Sequence, residues 1–310
     1  MARPRLYIDE FVGITNRLET LPLAFAIQKE YGHEIILDWS ELDSFSVAGT
    51  RRAKLRFWQK PGALRVRNCD AAQFDTFAGK KIILRSLDGP SDKLDPLYLD
   101  VASRVKIAPH LADAIRRTFA RVQGRPVVAV HIRHGDYRIV DESRYDPLAC
   151  EWPAVPLWWY EAVMERIALV QKDVSFFLSC TGDPATHETL HRRFDVFTLD
   201  VTSPYGYKGP DHDSRVNPVA DLFALACCPV MLATPMSGYS HWAANALGIP
   251  AVCIIPRAGA TPDNPLMGSL RLYGKRLPAW RAAGREEGAE PISDDFEGID
   301  LTGTADTSWL

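Results

Sequence analysis

With 310 residues, of which 46% are apolar and 24% charged, the chain has ordinary globular composition and enough length for two domains that each bury a core. A formal net charge of -3 gives no basic footprint for nucleic acid, and the one short basic run, Arg51-Arg52-Ala53-Lys54-Leu55-Arg56, reads as a solvated face. The opening residues lack the apolar core of a secretion signal and no run approaches the length of a membrane span, so a cytoplasmic protein without a transmembrane segment is expected; the six cysteines lie scattered and indicate neither a disulfide framework nor a zinc site.

Strand-like and helix-like segments alternate along most of the chain, which predicts α/β layers built on parallel sheets. Leu6-Tyr7-Ile8 is a short strand. Phe11 to Arg17 reads as a turn into a helix from about Leu18 to Tyr31, ended by Gly32, and Glu34 to Trp39 completes a β-α-β unit. Gly13 and Asn16 have a plain reading here as a strand-to-helix junction. Lys81 to Leu84 is another strand and Pro109 to Val122 a helix, broken by Gly124-Arg125-Pro126. A domain boundary is therefore expected between Lys106 and Gln123, giving domains over residues 1–118 and 119–284.

The second half repeats the alternation. A strand from Val127 is followed by a helix from Pro156 to Val170, a strand from Val174 to Ser179, a helix from Pro184 to Phe194 and a strand from Val196 to Asp200. Val219 to Ala226, Val230 to Ala233, Tyr239 to Leu247 and Ala251 to Ile255 continue it. From Arg285 the chain becomes polar and acidic, and residues 285–310 are expected to form a loosely held tail that Trp309 and Leu310 can dock.

Chemistry concentrates at Val127-Val128-Ala129-Val130-His131-Ile132-Arg133-His134-Gly135-Asp136-Tyr137, an apolar β-branched run ending in ionisable groups and a glycine. Period-2 alternation puts His131 and Arg133 on one side of the strand tip, where open α/β sheets place ligands, and the pair suits a planar anion such as a nucleoside diphosphate. Farther along, Asp221 opens a helical run after Pro218, and Ser237-Gly238-Tyr239 follows a strand that ends at Thr234. Asp221 and Ser237 each read in isolation as helix caps, although exposed amides at a helix start also hold phosphate.

Three of these blocks, taken in order, resemble the fucosyltransferases that use GDP-fucose, a superfamily that includes α1,2- and α1,6-fucosyltransferases, O-fucosyltransferases and the bacterial NodZ-like enzymes. Gly13-Ile14-Thr15-Asn16-Arg17-Leu18 is similar to the family's Gly-x-x-Asn-x-Leu turn, with Thr15 where many relatives have a second glycine. His131-Ile132-Arg133-His134-Gly135-Asp136-Tyr137 matches His-x-Arg-x-Gly-Asp-Tyr, and Asp221 through Trp242 resembles the family's Asp, helix, strand, Ser-x-x-Ser pattern. The spacing of 16 residues from Asp221 to Ser237 is that of the guanine-reading aspartate and the phosphate-binding serine in the core α1,6 enzymes.

The resemblance implies a GT-B architecture, two Rossmann-like domains facing an interdomain cleft, with acceptor binding in the first and the GDP-sugar in the second. It implies inverting, metal-independent transfer of fucose from GDP-fucose, as donor substrate and with no cofactor, to a hydroxyl of a carbohydrate or glycoconjugate. Arg133 would grip the pyrophosphate, with His131 against the nucleotide and Asp136 holding Arg133 or its loop. A carboxylate at Asp221 can accept from both N1-H and the exocyclic amine of guanine, which adenine cannot satisfy. Ser237, Gly238 and Tyr239 would hold phosphate, Gly13 and Asn16 would face the donor, and Asp183 would reach the ribose although the usual Phe-Ser-Asp-Asp is replaced by Leu178-Ser179-Cys180-Thr181-Gly182-Asp183. Asp141 and Glu142 are the leading candidates for the base that deprotonates the acceptor, with Asp9 and Glu10 as alternatives. Trp158-Trp159-Tyr160 takes the place of a family Tyr-Tyr pair and reads chiefly as core, and Asp211-His212-Asp213 as a solvated loop.

Two other functions share these letters. Arg133-His134-Gly135 is also the histidine-phosphatase motif, which would make His134 a phosphorylated nucleophile and His212-Asp213 a second pair. A nucleotide-sugar-binding protein without transfer activity would keep the donor groups alone.

Overall fold

A computed structural model describes residues 3–202, 217–285 and 289–310. The chain divides into two compact units, Met1–Ala108 and Pro109–Leu310. The boundary lies inside the expected window and ten residues before the expected end at 118, because the helix that follows Ala108 packs on the second sheet. Among the described residues, no helix is long and apolar enough to cross a membrane.

In the first unit, five parallel strands, β1 (Arg5–Asp9), β2 (Glu34–Asp38), β4 (Thr50–Arg52), β5 (Leu64–Val66) and β6 (Ile82–Leu84), lie in the order β4-β2-β1-β6-β5. A separate antiparallel pair joins β3 (Phe45–Val47) to β7 (Val105–Ile107). The helices are α1 (Ile14–Leu18), α2 (Leu21–Tyr31), α3 (Ala71–Phe74), α4 (Ser91–Leu94) and α5 (Tyr98–Ser103). The single helix expected after the first turn is thus two helices. Pro22 has no amide hydrogen to offer the carbonyl of Leu18, so the first helix stops and the second starts with that proline in its first turn. Gly32 then ends α2 in the left-handed conformation at φ 73°.

The second unit carries β8 (Val127–Ile132), β9 (Ser175–Cys180), β10 (Val196–Phe197), β11 (Val230–Leu232), β12 (Val252–Pro256), β13 (Met267–Leu270) and β14 (Glu290–Pro291), in the order β10-β9-β8-β11-β12-β13-β14. The strands are parallel as far as β12, after which β13 and β14 add on antiparallel. Its helices are α6 (Pro109–Phe119), α7 (Leu157–Val170), α8 (Glu188–Arg193), α9 (Pro218–Leu225), α10 (Gly238–Asn245) and α11 (Leu277–Arg285). All six residues of β8 are buried, as are all six of β9, so the apolar run is that of a central strand covered on both faces. On one face Val128, Val130, Ile132, Phe176 and Leu178 meet Trp159, Tyr160, Val163 and Met164 of α7. On the other, Phe177 stacks near Phe119 of α6, with ring centroids 5.3 Å apart. Side chains of this size contribute roughly 1.5–3 kcal/mol each when fully buried.

The tail departs from expectation. From Ala289 onward it packs onto the second unit: Glu290 pairs with Ser269, Phe296 and Leu301 enter the core, the Gly303 carbonyl accepts from the amide of Val127, and Trp309 stacks on Phe223. Its acidic side chains turn outward, and the apolar residues between them do the packing.

Candidate functional site

The strand order of the second unit reverses direction between β8 and β11, each the neighbour of the other and each leading to connections on opposite sides. Crevices at the carboxyl ends of such strands are where open α/β sheets hold ligands. Here the β8 end supplies His131 to Tyr137, the β9 end supplies Ser179 to Asp183, and the β11 end leads through Thr234 into α10.

A buried polar network ties these ends together. The carbonyl of His131 accepts from the hydroxyl of Thr234 at 2.8 Å and from that of Tyr160 at 3.0 Å, and the Arg133 amide donates to the Thr234 oxygen at 3.1 Å. Ser240 lies 2.6 Å from Nδ1 of His131 and accepts from the Thr234 amide at 3.2 Å. The His131 ring stacks on Tyr239 with centroids 5.0 Å apart, and Tyr239 donates its hydroxyl proton to the carbonyl of Pro218. Burial, assisted by the nearby Arg133 charge, takes His131 down to about 3, so the imidazole is neutral throughout the physiological range. His131 and Tyr239 therefore join β8, α9 and α10 as packed supports.

Arg133 follows the last residue of β8, and its side chain is 15% exposed. Its Nε and Nη2 donate to the two oxygens of Asp136, both at 2.9 Å, which fixes the plane of the guanidinium. The three-residue reach is made possible by Gly135 at φ 85°, a conformation that costs other residues dearly. His134 sits with Nε2 3.5 Å from the Val155 carbonyl and its ring 6.4 Å from that of His187, while His212 and Asp213, the other half of the phosphatase reading, lie outside the described residues, as does Asp211.

Asp221 lies in the first turn of α9 and is only 6% exposed. It does not cap the helix; Asn217 does, accepting from the amides of Val219 and Ala220. The Asp221 carboxylate instead accepts from Ser179 at 2.9 Å, and Ser179 sits directly across the ladder from His131. Burial pushes the Asp221 carboxyl up to about 7, against the Ser179 hydrogen bond, which lowers it. A carboxylate kept this dry is costly unless a ligand pairs with it.

Ser237 is the residue preceding α10 and is buried, yet its hydroxyl makes no capping bond to that helix. The residue before it, Met236, has φ 61°, an unusual left-handed conformation for a side chain of that size. Gly238 begins the helix, so its amide and its neighbours' stand at a positive helix end. Arg133, Asp221 and Ser237 are thus gathered at adjoining strand ends through Thr234, Ser179 and His131. Ser179, Thr234 and Ser240 were not singled out from the sequence; the Ser-x-x-Ser pattern contains Ser240, and a polar residue closing each of two apolar strands was the available signal.

The remaining expected residues fall as follows. Asp183 caps a short turn by accepting from the Ala185 amide at 3.0 Å, just past β9. Asp141 is exposed and accepts from both the amide and the hydroxyl of Ser143 at 2.7 Å, bonds that hold its carboxyl below the ordinary range. It lines a cavity of about 320 Å³ with Arg138, Arg144 and Tyr145. Glu142 is exposed, and its carbonyl accepts from the indole of Trp158. Tyr160 is fully buried, as the core reading required. In the first unit, Gly13 precedes α1 with an ordinary φ of -58°, and a Cβ there would meet nothing within 4 Å. Asn16 lies within α1 and is half-buried; Asp9 is engaged bidentately by Arg85, and Glu10 accepts from the Ser40 amide.

No family model matches the chain, and no curated protein matches it. Solved structures do. The NodZ alpha-1,6-fucosyltransferase co-crystallized with GDP is 14% identical, with 88% of this chain and 99% of that chain covered and a TM-score of 0.52. The selenomethionine form of NodZ from Bradyrhizobium gives 12% identity, coverage of 88% and 100%, and a TM-score of 0.50. An Arabidopsis thaliana FUT1 mutant in complex with GDP is 12% identical, with coverage of 84% and 72% and a TM-score of 0.53. The chain has the GT-B fold of these fucosyltransferases, in agreement with the resemblance carried by its three sequence blocks.

Proposed function

We propose that this protein is an inverting, metal-independent fucosyltransferase that moves fucose from GDP-fucose to a hydroxyl of a glycan or other glycosylated acceptor. The observation that carries the reading is the convergence, at the strand ends around β8, of a fixed guanidinium, an uncapped buried serine beside a helix start, and a desolvated carboxylate. Each suits one part of a guanosine diphosphate. Arg133, oriented by Asp136, takes the pyrophosphate together with Ser237 and the amides of Gly238 and Tyr239. As the bond to the sugar breaks, these donors stabilise the charge that develops on departing GDP. Asp221 reads guanine through N1-H and the exocyclic amine, which supply the donors its burial otherwise denies it. Asp183 reaches the ribose.

Inversion requires the acceptor oxygen to attack the anomeric carbon opposite the phosphate, transferring its proton to a base as the new bond forms. Asp141 or Glu142 serves as that base. Gly13 and Asn16 belong to the unit assigned to the acceptor. Fucose as the sugar is carried over from the likeness in fold to NodZ, a structure of which was obtained by soaking with GDP-fucose.

Calorimetry with GDP, ADP, UDP and GDP-fucose tests the reading. GDP and GDP-fucose are expected to bind far more tightly than ADP or UDP, and release of fucose from GDP-fucose separates a transferase from a simple binding protein. Equal affinity for ADP and GDP rejects the guanine site.

A further inference from the structure

The sheet of the first unit also reverses its strand order, between β1 and β6, and a second cavity opens there. It is lined by Asp9, Lys60, Arg65, Arg67 and Arg85, with Val66 and Ile83 at its base. Arg65 lies on β5 and Arg67 just past its end, so the two share a face of the edge strand. Arg85 is bound by Asp9 at 2.5 and 2.9 Å. Among the described residues, none of Lys60, Arg65 and Arg67 has a carboxylate partner. Three uncompensated cations thus converge on one concavity in a protein of net negative charge.

The cavity measures about 110 Å³. That is well below the roughly 300–1,000 Å³ of sites that enclose a whole small molecule, and it suits a single carboxylate, phosphate or sulfate group with some water. Immediately before Lys60, the turn Phe57–Gln59 exposes two aromatic rings: Phe57 is 77% and Trp58 61% accessible, packed edge to face with centroids 5.0 Å apart. The turn is held to the sheet by Gln59, whose amide donates to Tyr7 at 3.2 Å. The Arg56 guanidinium lies over the Trp58 ring, 6.0 Å from its centroid, which adds a cation beside an aromatic face that is still mostly open, and such a face suits the apolar side of a sugar ring.

We propose that this surface binds an anionic saccharide, with its acidic group in the cavity between Arg65, Arg67 and Lys60 and a neighbouring sugar ring against Trp58. That the saccharide is the acceptor rests on the transferase reading; that it binds here does not. Guanidinium forks match carboxylate and phosphate oxygens alike, so the acidic group is defined by charge and size.

The experiment is titration of the full chain with an oligogalacturonate and with a neutral malto-oligosaccharide of equal length. Inorganic phosphate, sulfate and acetate serve as probes of the cavity alone. The wild type is expected to bind the charged oligosaccharide at least about tenfold more tightly than the neutral one, and R65Q/R67Q to lose roughly tenfold for the charged ligand and the free anions. Trp58→Ala is expected to weaken both oligosaccharides and leave the inorganic anions unchanged, a split that general misfolding does not give. GDP binding, carried by the second unit, is expected to be the same in all variants; its absence from every protein rejects the transferase reading and leaves this one standing. Equal binding of charged and neutral oligosaccharides, indifference to R65Q/R67Q, or tighter binding of a single-stranded RNA than of the oligogalacturonate overturns the proposal.

Discussion

Both units carry a bidentate arginine-aspartate pair at the carboxyl end of a parallel sheet, beside the strand where the order reverses, yet the surroundings of the two pairs differ in kind. Arg133 and Asp136 stand on a buried lattice of hydroxyls and one imidazole, with the carboxylate of Asp221 buried nearby. Arg85 and Asp9 stand in an open rim of extra cations. One scaffold is thus suited to two recognition styles: a preorganised dry site resting on a buried hydrogen-bond network, and a solvated electrostatic one. The first gains selectivity because unpaired buried groups penalise the wrong ligand; the second gains attraction that salt screens.

The sharpest way to break this contrast is Arg133→Ala, expected to cost roughly 100- to 1,000-fold in transfer rate because a fixed donor to the leaving group is lost. Arg133→Lys should recover little of it, since an ammonium cannot reproduce the fork; initial rates with GDP-fucose decide the matter. Next is Asp221→Asn, which should reduce the preference for GDP over ADP by about 10- to 100-fold, measured by competitive titration.

A pH series on the same residue sharpens the dry side of the comparison. With the folded carboxyl raised to about 7 and the unfolded one near 4, the folded form holds its proton longer, so this group's stabilising share is complete below pH 4 and is lost as pH rises through 7. Asp221→Asn should therefore flatten that part of the stability curve and raise the melting temperature of the ligand-free protein near neutrality. GDP, which pairs with the ionised form, should bind more tightly as pH rises towards about 7 and then level off.

The smallest effects separate the two pairs most cleanly because they have opposite signs. Removing Asp136 frees the Arg133 fork to wander and is expected to weaken GDP binding a few-fold, about 1 kcal/mol. Removing Asp9 unmasks Arg85 and is expected to strengthen binding of sulfate by the first unit by a similar factor. Matching signs for Asp136→Ala and Asp9→Ala, read by titration, remove the distinction.

What could be read in advance follows from how local the cause is. β8 declares itself because β-branched residues run unbroken through a strand buried on both faces, and α9 because Pro218 opens it. The expected roles of Asp221 and Ser237 come from the family spacing alone, and the contact that holds Asp221 is a different one. That contact was not legible, since Ser179 reaches Asp221 across 42 residues and Thr234 reaches His131 across 103. The break between α1 and α2 hides in the sequence although Pro22 marks it, because the apolar period continues through the proline. In the tail, acidic composition masks Ile292, Phe296, Ile299 and Leu301, whose packing exists only once a core is there to receive them.

That tail has a consequence for how the molecule is made. Residues 1–108 form a contiguous unit whose every strand partner has been made by the time synthesis reaches Pro109. The central strand of the second unit, by contrast, donates the Val127 amide hydrogen to the carbonyl of Gly303, and the Cys227 carbonyl waits for the amide of Asp306. During translation the first unit can close early while its successor remains ajar until Gly303 and Asp306 have been made, and the apolar β8 and β9 edges left open in that interval are where a chaperone has most to do.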